Sequence, residues 1–366
     1  MKITEKTKTR VFALALIGVL IMTTLLGGCS KKAEETSSAP EPPKTFTFPL
    51  TGTETTDESL TQRRPLIAKI ENGKSSDVRP QYGVSFADVV YETVTEGGIT
   101  RLDCIYQSEI PEEVGNIRSA RNLDVTLVPQ YRGLLFDSGA SAPTIAELRA
   151  GLGDTRIEHG AAGDALYRRV DFRKAPHDVF VSLAKAYEYA ETKRQLETSF
   201  TDFKGLSFGV NNKEITTTDA TDIHVLVGGQ NDDWHFDSAT KEYLLDEDGT
   251  PLTDAANEDK QISVSNVIVM WVAYHHGNAQ NSLGSDEPGA DMNAGGDVSI
   301  FRDGKRIDGT WATDGLTPPR FYDANGVEIK LAKGKSWIMC PNVGTPVEAT
   351  APVPETDADA DADTAE

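Results

Sequence analysis

Arginine and carboxylate side chains cluster in one stretch, from Glu96 to Arg121 (EGGITRLDCIYQSEIPEEVGNIRSAR). Glu96 precedes two glycines and Arg101, and a short alternating apolar run follows. Arg118 and Arg121 lie three residues apart on the far side of that run. Glycine allows a backbone to approach a ligand closely, and guanidinium groups bind carboxylate or phosphate in a bidentate geometry. The spacing therefore predicts an anion-binding site if the two loops that flank the strand meet.

A second polar segment, residues 173–178 (RKAPHD), adds an arginine and a histidine. We predict that this segment meets the first two loops at one end of a domain. The predicted ligand-binding residues are Glu96, Arg101, Arg118, Arg121, Arg173 and His177. The alternative is structural: the arginines pair with neighbouring acids and brace the loops, which contributes little free energy at a protein surface.

Acid–base chemistry is the rival interpretation of the same residues. Glu96 and His177 would exchange protons with a substrate, and Ser119 or Ser138 would supply a nucleophile. The sequence lacks the Gly-x-Ser-x-Gly elbow of many hydrolases, the His-Glu-x-x-His motif of zinc proteases and any Cys-x-x-Cys spacing. We therefore favour a binding protein over an enzyme, assign no catalytic residue, and expect neither a metal nor a cofactor.

The N-terminus has the pattern of a targeting signal. Basic residues between Lys2 and Arg10 precede an apolar run from Val11 to Leu26, which favours a signal peptide over a membrane-spanning helix. Leu-Gly-Gly-Cys follows and resembles the bacterial lipobox, in which a lipid such as palmitate is attached to the cysteine, here Cys29. We predict a lipid anchor in the cell membrane, facing the extracytoplasmic side. An ordinary secretory signal or an uncleaved anchor is the alternative.

The composition limits the classes of partner. The 366 residues carry a formal net charge of −21, which disfavours binding to nucleic acid and to anionic lipid headgroups. Because positive charge is scarce, a local arginine cluster is more informative. Cys104 and Cys340 fall in different predicted domains. We expect both thiols to be buried and unpaired, and a disulfide between them is the alternative.

The pattern of elements predicts an α+β protein, with an N-terminal mixed α/β domain followed by a smaller, mostly-β domain. Polar composition without a sustained apolar period predicts a disordered tether, and an acidic segment without core-forming residues predicts a disordered tail. A threonine- and asparagine-rich segment predicts a hinge. The predicted division is 1–28 lipoprotein signal peptide, 29–63 disordered tether, 64–203 N-terminal α+β domain, 204–222 hinge, 223–343 C-terminal β-rich domain and 344–366 acidic disordered tail.

Apolar periodicity locates the elements within each domain. In the first domain, strands are predicted at 65–70, 88–93, 102–106 and 133–137, a short helix or strand at 123–130, and helices at 143–151 and 181–196. In the second domain, strands are predicted at 224–227, 234–237, 243–245, 266–272, 298–301, 306–311, 321–322, 328–331 and 336–340. The polar residues 276–296 predict a loop. Three tryptophans lie in predicted strands, Trp271, Trp311 and Trp337, and we expect two of the three to be buried in the core.

Several segments are shared with a known family: EGGITR (96–101), GNIRSAR (115–121), RKAPHD (173–178), FRDGK (301–305), GTW (309–311) and GKSWI (334–338). In these segments the chain resembles the YerB family of bacterial proteins. The resemblance covers roughly residues 64–341 and implies paired N- and C-terminal domains of uncharacterised function and a lipoprotein character. It implies no activity. Two positions depart from the family pattern, since the turn from Asp137 to Ser141 has no histidine and the third segment ends in Asp178 rather than asparagine.

Together these patterns predict a lipid-anchored, extracytoplasmic binding or interaction protein. The expected ligand is an anionic component of the cell envelope or a protein partner, and nucleic acid is excluded by charge. The alternative function is a cell-envelope hydrolase that uses Glu96 and His177.

The lipobox pattern predicts the effect of removing the Cys29 thiol. Cys29→Ala should yield an unprocessed or released protein, because no other residue would carry the lipid. Immunoblotting of membrane and soluble fractions measures this, with Cys340→Ala as the matched control that stays anchored. Membrane association of Cys29→Ala with unchanged processing would contradict the prediction.

Overall fold

The chain was analysed as a computed structural model that describes residues 43–351, except residue 212 and residues 281–285; the side chains of residues 277–280 are also outside the description. The predicted signal peptide (1–28), the lipidation site Cys29, residues 30–42 of the predicted tether and residues 352–366 of the predicted tail lie outside the described residues. The described residues from Lys44 onward form one compact unit that is mostly β.

Strands and short helices alternate in the first half of the described chain. In chain order they are β1 (Phe46–Thr47), β2 (Glu54–Thr55), α1 (Glu58–Thr61), β3 (Leu66–Asn72), β4 (Val89–Val94), β5 (Thr100–Tyr106), β6 (Glu113–Gly115), α2 (Asp124–Gln130), β7 (Leu134–Asp137), α3 (Ala142–Leu152), β8 (Arg156–Glu158), α4 (His159–Ala162), β9 (Tyr167–Arg169), β10 (Val179–Ser182) and α5 (Ala186–Arg194).

The second half is built from strands. They are β11 (Thr218–Asp219), β12 (Asp222–Val227), β13 (Gln230–Asp237), β14 (Glu242–Glu247), β15 (Thr250–Pro251), β16 (Thr253–Asp254), β17 (Lys260–Gln261), β18 (Ser263–Val264), β19 (Asn266–Met270), β20 (Tyr274–Gln280), β21 (Asp286–Ala290), β22 (Gly296–Arg302), β23 (Lys305–Ala312), β24 (Arg320–Asp323), β25 (Ser336–Cys340) and β26 (Val347–Thr350). None of the helices in the described part of the chain has the length and apolarity needed to cross a membrane.

One continuous sheet joins the two halves. Within the described residues it contains eleven strands in the order β11-β23-β22-β19-β25-β4-β5-β3-β7-β8, with β24 beside β23. β25 from the second half pairs in parallel with β4 from the first, with Trp337 opposite Val90. The boundaries of the two domains stay predictions, and the backbone pairing between β25 and β4 crosses the division.

The central strands are covered on both faces. Successive side chains of a strand point to opposite faces, so Ile67 and Val89 join one apolar cluster while Ala68 and Val90 join the other. Helices α2 and α3 cover the first face. A six-stranded sheet of β15-β14-β13-β12-β26, with β18 beside β14, covers the second face.

Order begins earlier and ends later in the chain than predicted. β1, β2 and α1 lie within the predicted tether, and Leu50 is fully buried. The sequence FTFPL (46–50) supplies the apolar residues that the tether prediction overlooked. At the other end, β26 lies within the predicted tail and pairs with β12, with Val347 opposite Val225.

Three predicted elements were wrong. The predicted helix at 181–196 divides into the end of strand β10 and the shorter helix α5, because the β-branched, apolar Val179–Ser182 pairs with β6 and β9. The predicted loop at 276–296 contains most of the antiparallel pair β20 and β21. The predicted strand at 328–331 makes only isolated bridges, at Glu328 and Leu331.

The other core predictions are confirmed by burial. Cys104 and Cys340 are free and fully buried. Trp311 and Trp337 belong to the core, whereas Trp271 is only partly buried.

The shared sheet predicts the outcome of cutting the connector between the halves. Lys213 is exposed in the predicted hinge, and trypsin should cleave there early. The two fragments should co-elute at the mass of the intact chain, because β25 stays paired with β4 inside a common core. Size-exclusion chromatography of the nicked protein, followed by denaturing electrophoresis, measures this. The double variant Lys204→Gln/Lys213→Gln, which removes both exposed lysines of the predicted hinge, is the uncut control. Fragments that separate without denaturant would contradict the prediction.

Candidate functional site

The face of the central strands that α2 covers carries charged residues, and we call it the arginine face. Register places Glu71 opposite Arg101 and Lys69 opposite Asp103 on β3 and β5. All four side chains are buried. Charged groups in such a position need partners inside the protein, because transfer from water is costly.

Lys69 finds such partners. Its Nζ donates to Asp103 Oδ2 at 2.7 Å and to Asp124 Oδ1 at 2.9 Å, with all three side chains fully buried. Burial lowers the pKa of Lys69, but the two carboxylates outweigh that effect and the net pKa is raised. Asp124 Oδ2 also accepts the backbone N–H of Arg121 at 2.7 Å. The ammonium group therefore ties the first turn of α2 to the sheet beside the arginines.

Arg121 is paired in full with Glu96. Its Nε donates to Glu96 Oε2 at 3.0 Å and its Nη2 to Glu96 Oε1, which is the bidentate geometry. Its Nη1 donates to the carbonyls of Ser119 and Ala120. Burial raises the pKa of Glu96, but the hydrogen bonds and charge of Arg121 outweigh it, so the net pKa is lowered. Glu96 is therefore held as a carboxylate.

Arg101 is buried without an acid partner. Its Nη1 donates to the Ser119 carbonyl at 2.6 Å, its Nε is buried with no hydrogen-bond partner, and 5% of the residue is exposed. It forms no ion pair with any carboxylate of the described residues. The negative charges of Glu96 and Glu71 are near enough to raise its pKa, but they do not outweigh burial. Burial, followed by the positive charge of Arg121, lowers the pKa of Arg101 to about 9.

Arg118 and His177 converge on Glu71 at the edge of the arginine face. Arg118 Nε lies 3.5 Å from Glu71 Oε2, and Arg118 Nη1 donates to the Pro176 carbonyl at 3.0 Å. His177 Nδ1 lies 2.7 Å from the same Glu71 oxygen. The side chains of Arg118 and His177 are each 23% exposed, so they border the accessible part of the site.

Arg173 has no hydrogen bond or ion pair with these groups among the described contacts. It donates from Nη1 to the Arg79 carbonyl at 3.1 Å and from Nη2 to the Pro80 carbonyl. Arg173 therefore braces a loop through carbonyls, whereas the Arg121–Glu96 pair is the acid pairing that the bracing alternative predicted. Glu96 and His177, the acid–base pair of the rival interpretation, have different partners and no contact with one another among the described hydrogen bonds and ion pairs.

Strand order explains why the loops meet. β3, β7 and β8 are parallel neighbours, and ligands bind beyond the carboxyl ends of parallel strands in open sheets. The segment around Arg118 lies between the second half of β3 and the end of β7: Arg118 N–H donates to the Lys69 carbonyl, and Ser138 N–H donates to the Arg118 carbonyl, each at 2.9 Å. The Arg118 segment and the residues that follow β7 and β8 therefore lie side by side.

A serine and a histidine meet at the same edge. Ser138 Oγ, just after β7, lies 3.2 Å from Nδ1 of His159, just after β8. Ser119 Oγ donates to the Ser138 carbonyl at 3.2 Å. The Glu158 carboxylate accepts the N–H groups of the first turn of α4 instead of orienting His159. Sequence reasoning named Ser138 without His159, and a prediction that β7 and β8 are parallel neighbours would have joined them.

The two glycines of the loop after β4, Gly97 and Gly98, have different surroundings. Gly98 accepts the N–H of Gly229 at 2.6 Å, and a Cβ on Gly228 would lie 2.5 Å from the Gly98 oxygen. The loop therefore packs on the turn between β12 and β13. Gly97 has a φ of 70°, and a Cβ built there would meet open space. A separate cavity of about 540 Å³, lined in part by Arg64 and Gly133, lies at the amino ends of β3, β7 and β8.

Comparison with known proteins identifies relatives along most of the chain. Residues 50–198 match the "Protein of unknown function (DUF3048) N-terminal domain", and residues 222–338 match the corresponding C-terminal domain. The chain is 29% identical over 327 residues to the protein of Bacillus subtilis (strain 168) named "Putative lipoprotein YerB", covering 86% of this chain and 90% of that protein. It superposes on the crystal structure of the YerB protein from Bacillus subtilis with a TM-score of 0.70 and 26% identity, covering 83% of this chain and 99% of that chain.

Because Arg121 has an acid partner and Arg101 has none, the same substitution should change the free energy of unfolding by different amounts at the two positions. Arg121→Met should lower the free energy of unfolding by about 3 kcal/mol, because Glu96 is left buried and uncompensated. Arg101→Met should lower it by less than about 1 kcal/mol or raise it, because the change removes a buried charge that has no acid partner. Urea unfolding of the two variants measures the difference. Equal destabilisation would mean that Arg101 is as much a structural brace as Arg121.

Proposed function

The chain belongs to the DUF3048 family, which includes the lipoprotein-type protein YerB, and from this premise we propose that it is a membrane-anchored binding protein for an anionic ligand of the cell envelope. Membrane anchoring is supported by the name of the relative and by the lipobox at Cys29. The proposal includes lipidation of Cys29, an extracytoplasmic location, and two domains at 64–203 and 223–343 connected by the hinge at 204–222.

The missing partners of Arg101 are the observation that indicates an anionic ligand. A buried charge is ordinarily paired, and this guanidinium has one carbonyl partner, a buried Nε without a partner and no ion pair within the described chain. Neighbouring Arg121 increases the local positive charge. A carboxylate or phosphate group from a ligand would supply both the missing charge and the missing hydrogen-bond acceptor.

The surroundings of Arg101 favour a small acidic group on a larger molecule. Arg118 and His177 are partly exposed and border the arginine face. Cβ atoms built on Gly97 and Gly139 would meet open space. The acidic group enters past Arg118 and contacts Arg101, while the rest of the ligand lies outside over the glycines.

Electrostatics makes this site selective on a protein of net charge −21. The surrounding acidic surface repels anions at long range, and the arginine field extends only about one Debye length, roughly 8 Å at physiological salt. A ligand that is tethered in the same envelope layer is favoured over a free anion, because its local concentration is high.

The serine–histidine contact supports a second candidate function, a cell-envelope hydrolase. Ser138 Oγ and His159 Nδ1 are 3.2 Å apart beside the arginine face, which is close to the hydrogen-bond reach of a nucleophile and its base. In this arrangement Arg118 would hold the acidic group of a substrate. The earlier acid–base pair is less suited, because Glu96 is held by Arg121 and His177 by Glu71.

Binding experiments with lysine variants test the proposed function. Isothermal titration of glycerol phosphate oligomers and of N-acetylmuramic acid presents a phosphodiester and a carboxylate. Arg101→Lys and Arg118→Lys keep the charge but lose the fork. Each should weaken binding about 10- to 100-fold, because one hydrogen bond between charged groups contributes about 1.5–3 kcal/mol.

The matched control is Arg173→Lys, the same substitution at an arginine that braces a loop, and its affinity should be unchanged. Equal affinity of all variants, or no binding of either probe, would contradict the proposal. Release of product from wall fragments that Ser138→Ala abolishes without loss of binding would favour the hydrolase.

A further inference from the structure

A second polar cluster lies behind the arginine face, on the opposite side of the same strands. Asn72, Glu92 and Thr100 project from β3, β4 and β5 toward the six-stranded sheet, where they meet Asp232 of β13 and Glu247 of β14. All five residues are fully buried. We call the three carboxyl groups, Glu92, Asp232 and Glu247, the acid cluster.

Two members of the acid cluster are held by hydrogen bonds. Glu92 accepts from Thr100 Oγ1 at 2.8 Å and Asn72 Nδ2 at 3.2 Å through Oε1, and from the Trp337 indole at 3.0 Å through Oε2. Glu247 Oε1 accepts from Asn72 Nδ2 at 2.7 Å. Glu247 Oε2 accepts from Gln230 Nε2 at 3.0 Å and from the Arg79 guanidinium. These donors fix both carboxylates in place.

Asp232 has no such support. Neither of its carboxyl oxygens has a hydrogen-bond donor among the described residues when the cluster is ionised, although the side chain is fully buried. Its neighbour is the Glu92 carboxyl, which can share a hydrogen bond with it only if one of the two groups is protonated. One of the Asp232 oxygens lies within 4.8 Å of an oxygen of Glu92 and of Glu247. An unpaired buried carboxylate is costly, so a positively charged or proton-donating group is required beside Asp232.

The net charge of the acid cluster indicates how much positive charge a bound group would have to supply. Three carboxylates face one cation, Arg79, and the nearby Lys74 is paired with Asp248 outside the cluster. The surplus is two negative charges, which one divalent cation neutralises. Without a cation, burial and then the neighbouring Glu92 raise the pKa of both Glu247 and Asp232, so these two groups would hold protons in place of the ion.

We propose that Glu92, Asp232 and Glu247 bind an oxygen-preferring divalent cation, Ca²⁺ or Mg²⁺. Such cations bind carboxylate oxygens at about 2.0–2.6 Å, so two ligands of one ion are separated by at most about 5 Å, which agrees with the spacing here. Thiol and imidazole ligands are absent from the described cluster, and this disfavours zinc.

The proposed ion would join the two halves of the chain, because Glu92 comes from the first and the other two ligands from the second. Arg79, whose side chain is 18% exposed, is the least buried group that touches the cluster. The proposed ion would therefore enter past Arg79. Sequence reasoning expected no metal, because the three ligands lie up to 155 positions apart in the chain and no local motif marks them.

Thermal unfolding and titration test the site on the full chain in detergent. After treatment with EDTA, addition of CaCl₂ or MgCl₂ at a hundred times Kd should raise the melting temperature by about 5 °C, beyond the effect of NaCl at equal ionic strength. Isothermal titration should give one site per chain. Asp232→Asn should weaken binding at least about 100-fold, since even residues behind the ligands contribute 10- to 100-fold.

Asp232→Asn also keeps the proposal testable if the wild-type apo protein is unstable, because it removes one unpaired buried charge and should fold. Glu188→Gln removes an exposed carboxylate on α5 and is the control that retains full binding. An unchanged melting temperature with both cations, or equal binding by wild type and Asp232→Asn, would overturn the proposal and leave the acid cluster as carboxyl groups that share protons.

Discussion

The burial of β3, β4 and β5 on both faces is the constraint on which the structure depends. Every charged side chain on these strands must find its partners inside the protein. Lys69 does so with two carboxylates, and Glu96, in the loop between β4 and β5, does so with Arg121. Arg101 and Asp232 have no partner of opposite charge. Arg101 lies on the arginine face, and Asp232 lies where the six-stranded sheet meets the opposite face. A folded protein keeps such charges at a cost in stability, which the two proposed ligands would offset. Both proposals follow from this imbalance.

The same strands also unite the two domains of the family. β25 pairs with β4, the Gly98 carbonyl accepts the Gly229 N–H, and the acid cluster takes its members from both halves. An anion at the arginine face and a cation at the acid cluster would act on opposite faces of the same strands. Binding at either site would therefore stabilise the common sheet rather than one domain.

Features that depend on residues close together in the sequence could be predicted. Alternating apolar residues located β3, β4 and β5, and the placing of arginines on both sides of one strand indicated that Arg101, Arg118 and Arg121 lie near each other. Contacts that depend on strand order were not predictable, because the pairing of β7 with β8 decides that Ser138 meets His159. The acid cluster depends on how two sheets pack, and no local pattern encodes this. The partners of Arg173 were not predictable for a related reason, since they are backbone carbonyls of a loop distant in the sequence.

The central claim is that Arg101 lacks an anion that a ligand supplies. The most direct test is X-ray diffraction from crystals soaked in selenate, a tetrahedral dianion whose selenium gives an anomalous signal. The account predicts an anomalous peak whose oxygens lie within hydrogen-bond distance, about 2.7–3.2 Å, of the Arg101 guanidinium, with Arg118 alongside. Selenate peaks only at other surface sites, with Arg101 still bonded to the Ser119 carbonyl alone, would contradict it.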